Sequence, residues 1–397
     1  MRISSLQYFL DTCADNGFIP KMRKINIHAD PFIAIYKQNT EYFHVHPKYW
    51  HPKSMKDAAL LFLQFNLFLL EKGFYLHDAH SHNFVMEQNG RVKWCDIGSI
   101  KKMSFDIKTS DIDECIRYLI YPIALRQKSW KFNEWARLSF ANGLTHDLAR
   151  EFSLFDPPPQ IKGPRKRILE SLKEWVESVH FDYPQTTWSN YLNVADWHES
   201  ILTNARTKIF HSIFNAIAPK TAIDIAANSG FFSVLMARQG TQVLALDPDE
   251  GALAQLHAYL SGENASLKLK FAVDRARTTY TGAVGDLAIA LALTHHLFIS
   301  QKFSWPLIAH TLASYTHDYL LTEFMPNGLS CEQRPATLPA GYHLDIFRTH
   351  LERYFESCEI IEYPIHEGES PRIFLLCKGK KTEPTDVGKP FWAFEGS

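Results

Sequence analysis

Residues 221 to 250, TAIDIAANSGFFSVLMARQGTQVLALDPDE, constrain the fold more than any other stretch. Ala222 to Ala226 is a short apolar run of the kind a buried parallel strand shows. Asn228-Ser229-Gly230 reads as a turn, and Phe231 to Arg238 follows helical spacing. Gln239-Gly240 breaks that helix, and Gln242 to Leu246 is a second buried strand ending at Asp247. Strand, turn, helix and strand make the βαβ unit of a doubly wound sheet. Ligands of such sheets sit beyond the carboxyl ends of the strands, where the 228–230 turn and Asp247 both fall.

A small-residue turn lets backbone approach a ligand, and free N–H groups opening a helix hold an anionic or polar group. An acid ending the second strand, about 20 residues on, suits the paired hydroxyls of a ribose. A dinucleotide and S-adenosylmethionine (SAM) both use this layout. A dinucleotide needs glycines to clear its pyrophosphate. Here the first two glycine positions hold Ala226 and Asn228, and only Gly230 remains. A pyrophosphate is crowded there and the amino-acid end of SAM less so. Asp224, ahead of the turn, is placed to orient the SAM ammonium group.

Leu269 to Val273 reads as a third strand closing on Asp274, an acceptor for an adenine amino group. Gly285 to Leu293 is a fourth, followed by Thr294-His295-His296-Leu297. IDIAANSGFFS, VLALDPDE, FAVDRA and DLAIALALTHHL, in that order, resemble the successive motifs of class I SAM-dependent methyltransferases. The resemblance implies cofactor contacts from Asp224, Ala226, Asn228, Gly230, Asp247, Asp274 and Leu293. Methyl transfer from a sulfonium is an in-line displacement dominated by positioning. A hydroxyl acceptor also loses its proton, and His295 and His296 are the candidate general bases. No Asn/Asp-Pro-Pro-Tyr/Phe sequence follows the fourth strand, which disfavours methylation of nucleic-acid base amines.

The first half carries a different pattern. Residues 58 to 70, apolar around almost the whole helical circumference, read as a buried helix opened by Ser54 with Asp57 in a capping box and closed at Gly73. Phe84 to Glu87 and Val92 to Cys95 flank a Gln88-Asn89-Gly90 turn as a hairpin. Asp78, Asn83 and Asp96 bracket it, oxygen donors of the kind that hold Mg²⁺ on nucleotide phosphates. Asp78, Asn83 and Asp96-Ile97-Gly98 resemble the catalytic and metal-binding loops of the protein-kinase and aminoglycoside-phosphotransferase superfamily, which implies ATP and Mg²⁺. The upstream glycine-rich loop of that superfamily is missing, and Lys37, on an expected strand, is a stand-in for its lysine. His44, His46 and His51 lie close together but read as exposed strand and loop histidines, not metal ligands. Residues 32 to 37 and 42 to 45 read as strands around a 38–40 turn.

Taken together, HPKYWHPKSMKDAALLFLQFNLFLLEKGFYLHDAHSHNF, CDIGSI, ECIRYLIYPIAL, TTWSNY, the SAM motifs and SPRIFLLCKGK resemble two-part methyltransferases of the NoeA-like nodulation-protein family over roughly residues 45 to 378. The implied fold class is α/β: a C-terminal Rossmann-like class I methyltransferase sheet preceded by an α-rich, kinase-C-lobe-like domain with a small hairpin. The expected division is a kinase-like domain at 1–155, a Pro-rich then basic linker with a helix at 156–185, the methyltransferase domain at 186–380 and a loose tail at 381–397. Trp188 and Tyr191 read either as a lid over the site or as core. The resemblance implies a glycan or small-molecule acceptor.

Length and charge agree with this division. A chain of 397 residues accommodates two ordinary domains, and a net charge of −1 disfavours a broadly basic nucleic-acid surface. The six cysteines are scattered, which argues against zinc and a disulfide framework and for a reducing compartment. There is no signal-peptide pattern and no apolar run long enough to span a bilayer, so a soluble, cytoplasmic protein is expected. Nothing in the residues sets an oligomeric state.

Overall fold

In the computed structural model the described residues are 3–25, 35–38, 43–103, 110–154, 162–189, 191–192, 194, 197, 204–276, 283–329, 337–362 and 371–382. The chain divides into two compact units, Met1–Pro184 and Gln185–Ser397.

The first unit is built on the helix Pro52–Leu70. It begins earlier than a Ser54 cap requires, at Pro52 instead of Met55: His51 is the N-cap, its Nδ1 accepting from the Lys53 N–H at 3.2 Å, and Pro52 opens the first turn. Proline suits that position because its missing N–H would have had no helical partner. Ser54 is buried inside the first turn, so the capping-box expectation is corrected. Only Gln64 on this helix is exposed, as an apolar circumference demands. Buried Asn66 accepts from the Leu76 N–H at 3.0 Å and so fixes the strand Phe74–Leu76, which pairs antiparallel with Ile100–Lys102. The hairpin forms as Phe84–Met86 against Val92–Trp94, turned by Asn89 and Gly90, both at φ 73°. Ser110–Lys128 is one helical run with a π turn at Ile116–Ile120. The helix Arg165–Ser178 packs on Pro52–Leu70, and Lys56 Nζ donates to the Glu177 and Val179 carbonyls at its C-terminal end.

Two expectations in this unit change. Ile35–Gln38 pairs with Met22–Ile25, and residues 43–45 are not strand; residues 32–34 and 39–42 lie outside the described set. Of the three histidines only His44 is exposed: His51 is fully buried, and His46 caps the turn Pro47–Tyr49 through Nδ1. Among the described residues no group of three or more His, Cys, Asp or Glu is arranged to hold a metal.

The second unit is a seven-stranded sheet: β1 (Thr221–Ile225), β2 (Gln242–Asp247), β3 (Leu269–Val273), β4 (Gly285–Ala290), β5 (Thr316–Phe324), β6 (Phe355–Glu362) and β7 (Ile373–Lys380). Its order is 3-2-1-4-5-7-6, parallel from β3 to β5, with β7 antiparallel to both β5 and β6. This is the Rossmann-like methyltransferase sheet, with the strand order reversing between the parallel neighbours β1 and β4. One row crosses it through Leu244, Ile223, Ala288, Leu320, Cys377 and Cys358. The apolar strands are buried on both faces because helices cover them, Phe210, Phe231 and Phe232 filling one side. Helices Glu250–Ser261 and Trp305–Ala313 complete the layers and were not legible as separate elements.

The same register corrects the cysteine reading. Cys358 and Cys377 are far apart in sequence but directly opposite on β6 and β7, where they pair as a disulfide. The argument for a reducing compartment loses that support. Cys13, Cys95 and Cys115 are in no disulfide. No described helix is long and apolar enough to cross a membrane. Phe391, Trp392 and Phe394 of the expected tail lie outside the described residues.

Candidate active site

After β1 the chain turns through three left-handed residues in five: Ala226 (φ 61°), Asn228 (φ 53°) and Gly230 (φ 85°). These are the positions where the sequence substitutes two of three expected glycines, and the backbone keeps the glycine-like conformation regardless. The cost is of order 1–3 kcal/mol for a non-glycine residue, smaller for asparagine. Gly230 has a second reason to stay: a Cβ there would lie 2.8 Å from Leu256. The loop is held from β2. Asp247 accepts from the Asn228 N–H through Oδ2 and from the Asp249 N–H through Oδ1, each at 2.7 Å. Burial pushes the Asp247 carboxyl up to about 7 despite those two donors.

A strap from Thr186 to Leu192 crosses this loop. Thr186 and Ser189 hydroxyls bind Asp249, Gln255 donates to the Ser189 carbonyl, and Ser229 donates to the Leu192 carbonyl. Asn228 Nδ2 donates to the Trp188 carbonyl at 2.6 Å. Trp188 thereby stands edge-on to His296, centroids 4.6 Å apart.

At the exit of β4, Ala292 is also left-handed (φ 52°), and its N–H donates to Glu323 Oε2 at 2.9 Å. Thr294 Oγ1 donates to the Glu323 carbonyl at 2.7 Å, which sets the position of His295 and His296. Glu323, fully buried on β5, also accepts from Arg206 Nε and Nη2 at 2.9 and 2.8 Å and from Arg372 Nη1 at 3.1 Å. His295 is pushed down to about 3, first by burial and then by His296 and Arg372 nearby. Burial alone lowers His296. Both rings are therefore neutral near pH 7.

A cavity of about 720 Å³ opens beyond the carboxyl ends of β1, β2, β4 and β5. Of the expected site residues it gathers Ala226, Asn228, Asp247, Leu293, His295 and His296. Asp224, Gly230 and Asp274 stand outside its lining. Asp224 is buried beneath the loop, bonded by Ser233 Oγ at 2.6 Å and pushed up to about 7 by burial. Asp274 follows β3, its N–H donating to the Asp247 carbonyl at 3.2 Å. The lining also includes Trp188, Tyr191, Asp249, Gln301 and Arg372. Of these, Asp249, Gln301 and Arg372 were missed. For Arg372 the sequence signal was Glu323, a carboxylate inside the apolar strand YLLTEF, which demands a buried cation partner.

In the first unit, Asp78 is left-handed (φ 69°) and its carbonyl accepts from Asn83 Nδ2 at 3.0 Å. Asn83 in turn accepts at its carbonyl from the Cys95 N–H, and Asp96 Oδ1 accepts from the Gly98 N–H at 2.9 Å. The three positions are thus neighbours around one hairpin.

No protein-family model matches the chain. Nodulation protein NoeA of Rhizobium meliloti (strain 1021) is 24% identical over 312 residues, 65% of this chain and 63% of that protein. The match thus spans less than two thirds of the relative's length. Among solved structures, WbdD is 22% identical over 44% of this chain and 38% of that one, with a TM-score of 0.34. The N-methyltransferase NodS from Bradyrhizobium japonicum WM9 with S-adenosyl-L-homocysteine is 10% identical over 49% of this chain and all of that one, TM-score 0.36. Magnesium protoporphyrin IX methyltransferase from Synechocystis PCC 6803 with bound SAM is 14% identical over 50% of this chain and all of that one, TM-score 0.35. Likeness this distant leaves function to the chain's own site.

Proposed function

We propose that the chain is a SAM-dependent methyltransferase acting on a hydroxyl of a small-molecule or glycan acceptor. One observation carries the reading: a single cavity joins Asn228 and Asp247 at one end to His295 and His296 at the other. The residues fit the cofactor. Asn228 Oδ1 is buried with no hydrogen-bond partner among the described residues, an acceptor awaiting a ligand donor. Asp247 spends one lone pair of each oxygen on the loop, which leaves capacity for a ribose hydroxyl pair. Ala226 brings backbone to the cavity wall without a large side chain. SAM, when bound, supplies a methyl group on a positively charged sulfur.

His296 is the general base in this reading. It is neutral near pH 7, lines the cavity and is steadied by the Trp188 edge. His295, pushed down to about 3, is too weakly basic to share that role and acts as a neutral hydrogen-bonding group. Calorimetric titration with S-adenosylhomocysteine (SAH) tests the cofactor, with micromolar affinity expected; absence of heat up to millimolar SAH sinks the reading. His296→Gln should lower methyl transfer to a responsive hydroxyl acceptor by roughly 10²–10⁴ while SAH affinity holds. An unchanged rate would remove His296 as the base.

A second reading, phosphotransfer in the first unit, rests on Asp78, Asn83 and Asp96 lying around one hairpin. Titration with ATP and Mg²⁺ decides it, and silence at millimolar nucleotide would remove it.

A further inference from the structure

We propose that the methyl acceptor is a hydroxylated carboxylic acid, and that Arg372 and His295 form the subsite that holds its carboxylate. The proposal rests on the methyl-transfer reading above and adds the acceptor class to it.

Position comes first. Arg372 immediately precedes β7, beside the end of β5, where Ile373 pairs with Phe324. Across the sheet the order runs β2, β1, β4, β5, β7. Four strand spacings of about 4.8 Å therefore separate Asp247 from Arg372. A group held at Arg372 occupies the opposite end of the cavity from the ribose position.

The second observation is an orphan. His295 is 5% exposed, lines the cavity, and its Nδ1 has no hydrogen-bond partner among the described residues. An unpartnered buried polar atom, on a residue that lines a cavity, is stabilised when a ligand satisfies it. A neutral imidazole donates there in one tautomer. The nearby Arg372 charge disfavours a second proton on the ring, so the two groups act as a fixed cation and a neutral donor.

Preorganisation is the third. Arg372 is anchored by Nη1 on Glu323 at 3.1 Å and by Nη2 on the Tyr191 hydroxyl at 3.3 Å. Glu323 is itself gripped by Arg206. Two guanidinium groups thus share this carboxylate, and the Arg372 fork is oriented before any ligand arrives. A guanidinium presents its N–H donors in a planar fork that matches the two oxygens of a carboxylate. Around it the wall is apolar, with Trp188, Leu291, Met325 and Leu329, which suits the ring or hydrocarbon body of an acid and strengthens a charge-assisted bond.

The test uses the full chain saturated with SAH and two matched probe pairs: D-glucuronate against D-glucose, and 4-hydroxybenzoate against 4-hydroxybenzyl alcohol. At least one acid should bind roughly tenfold tighter than its neutral partner, as one charge-assisted contact implies. Arg372→Gln should erase that preference, Arg372→Lys should keep part of it, and His295→Gln should weaken the acid severalfold. SAH affinity should stay within about threefold in every variant. Circular dichroism and thermal melting identify a variant that has lost its fold, and His295→Gln, which leaves the Glu323 cluster whole, then carries the comparison. Equal binding of acid and neutral probes, or no binding of either acid, overturns the proposal. So does a large loss of SAH affinity in Arg372→Gln, which would assign Arg372 to the cofactor's own carboxylate. Wild-type protein that takes up no SAH sinks the cofactor reading alone; acid preference is then read without SAH.

Discussion

Both units present a polar motif at the end of a short strand, yet they spend it differently. In the second unit Asp247, Asn228, His295 and Arg372 converge on one cavity, and Glu323 beneath them is fully buried. In the first, Asp78, Asn83 and Asp96 sit in a half-buried loop, and the Asn83 and Asp96 side chains bond to backbone within that loop. The contrast separates residue identity from placement. A parallel sheet delivers residues from strands distant in sequence to one edge. A hairpin brings together only its own flanks.

Energetically the difference should be largest at the buried carboxylate. Glu323→Ala leaves Arg206 and Arg372 without their shared anion and frees the Ala292 N–H. Breaking a buried ion pair from one side costs about 3–5 kcal/mol. That corresponds to a fall of roughly 10 °C in the melting temperature of a unit this size. Asp96→Ala removes a turn bond to the Gly98 N–H and should cost only about 1 kcal/mol. Equal losses by calorimetry would erase the distinction between the two regions.

The next effect is on ligand binding. Asp247→Ala should weaken SAH at least about 100-fold, because it removes the proposed ribose-hydroxyl acceptor and both loop anchors together. Asp247→Asn restores one acceptor and should recover part of the loss. Asp78→Ala should leave SAH affinity unchanged, and any coupling between the two would show in the same titration.

Most of the second unit was legible because its signals are local. The β1–loop–β2 run is one continuous stretch from Thr221 to Asp247, the histidine pair follows directly on β4, and hydrophobic period with turn chemistry fixes such units. The hairpin at Gln88–Gly90 was legible for the same reason. What escaped was register. Cys358 and Cys377 read as scattered until β6 and β7 align them, and Arg372 had no visible connection to Glu323 until β7 slotted in beside β5. Asp224 was assigned to the cofactor by its place ahead of the turn. Its side chain turns under the loop to Ser233, a choice between strand faces that one residue of alternation decides. The His51 cap was missed because histidine imitates the usual Asn, Asp or Ser cap through Nδ1.

Asp224 gives a pH-dependent comparison. Burial holds its folded pKa at about 7, above the unfolded value, so the folded state keeps a proton that the unfolded chain has lost. Stability from this group is full below the unfolded carboxylate pKa, falls as pH rises and is gone above about 7. Asp247 follows the same sign. His295 opposes it only below its own unfolded pKa, where the folded state resists protonation. Between pH 5 and 8 wild type should lose roughly 2 kcal/mol through Asp224, and Asp224→Asn should flatten that slope. Parallel slopes for the two proteins by denaturant melts would show that Ser233 compensates the buried charge fully.

The smallest effect concerns the left-handed backbone shared by Ala226 and Asp78. Ala226→Gly relieves the steric cost of a Cβ at φ 61° but loosens the unfolded chain, and the two terms are of order 1–2 and 0.5–1 kcal/mol. The net expectation is a stabilisation of about 0.5 kcal/mol, or a rise of one to two degrees in melting temperature. Asp78→Gly faces the same arithmetic, but an Asp side chain already tolerates that region, so the gain there should vanish. If Ala226→Gly is stabilising and SAH affinity also holds, the alanine is a tolerated residue at a glycine position. If stability rises while SAH affinity drops severalfold, the strained alanine is holding the loop rigid for the cofactor, and the strain belongs to the site itself.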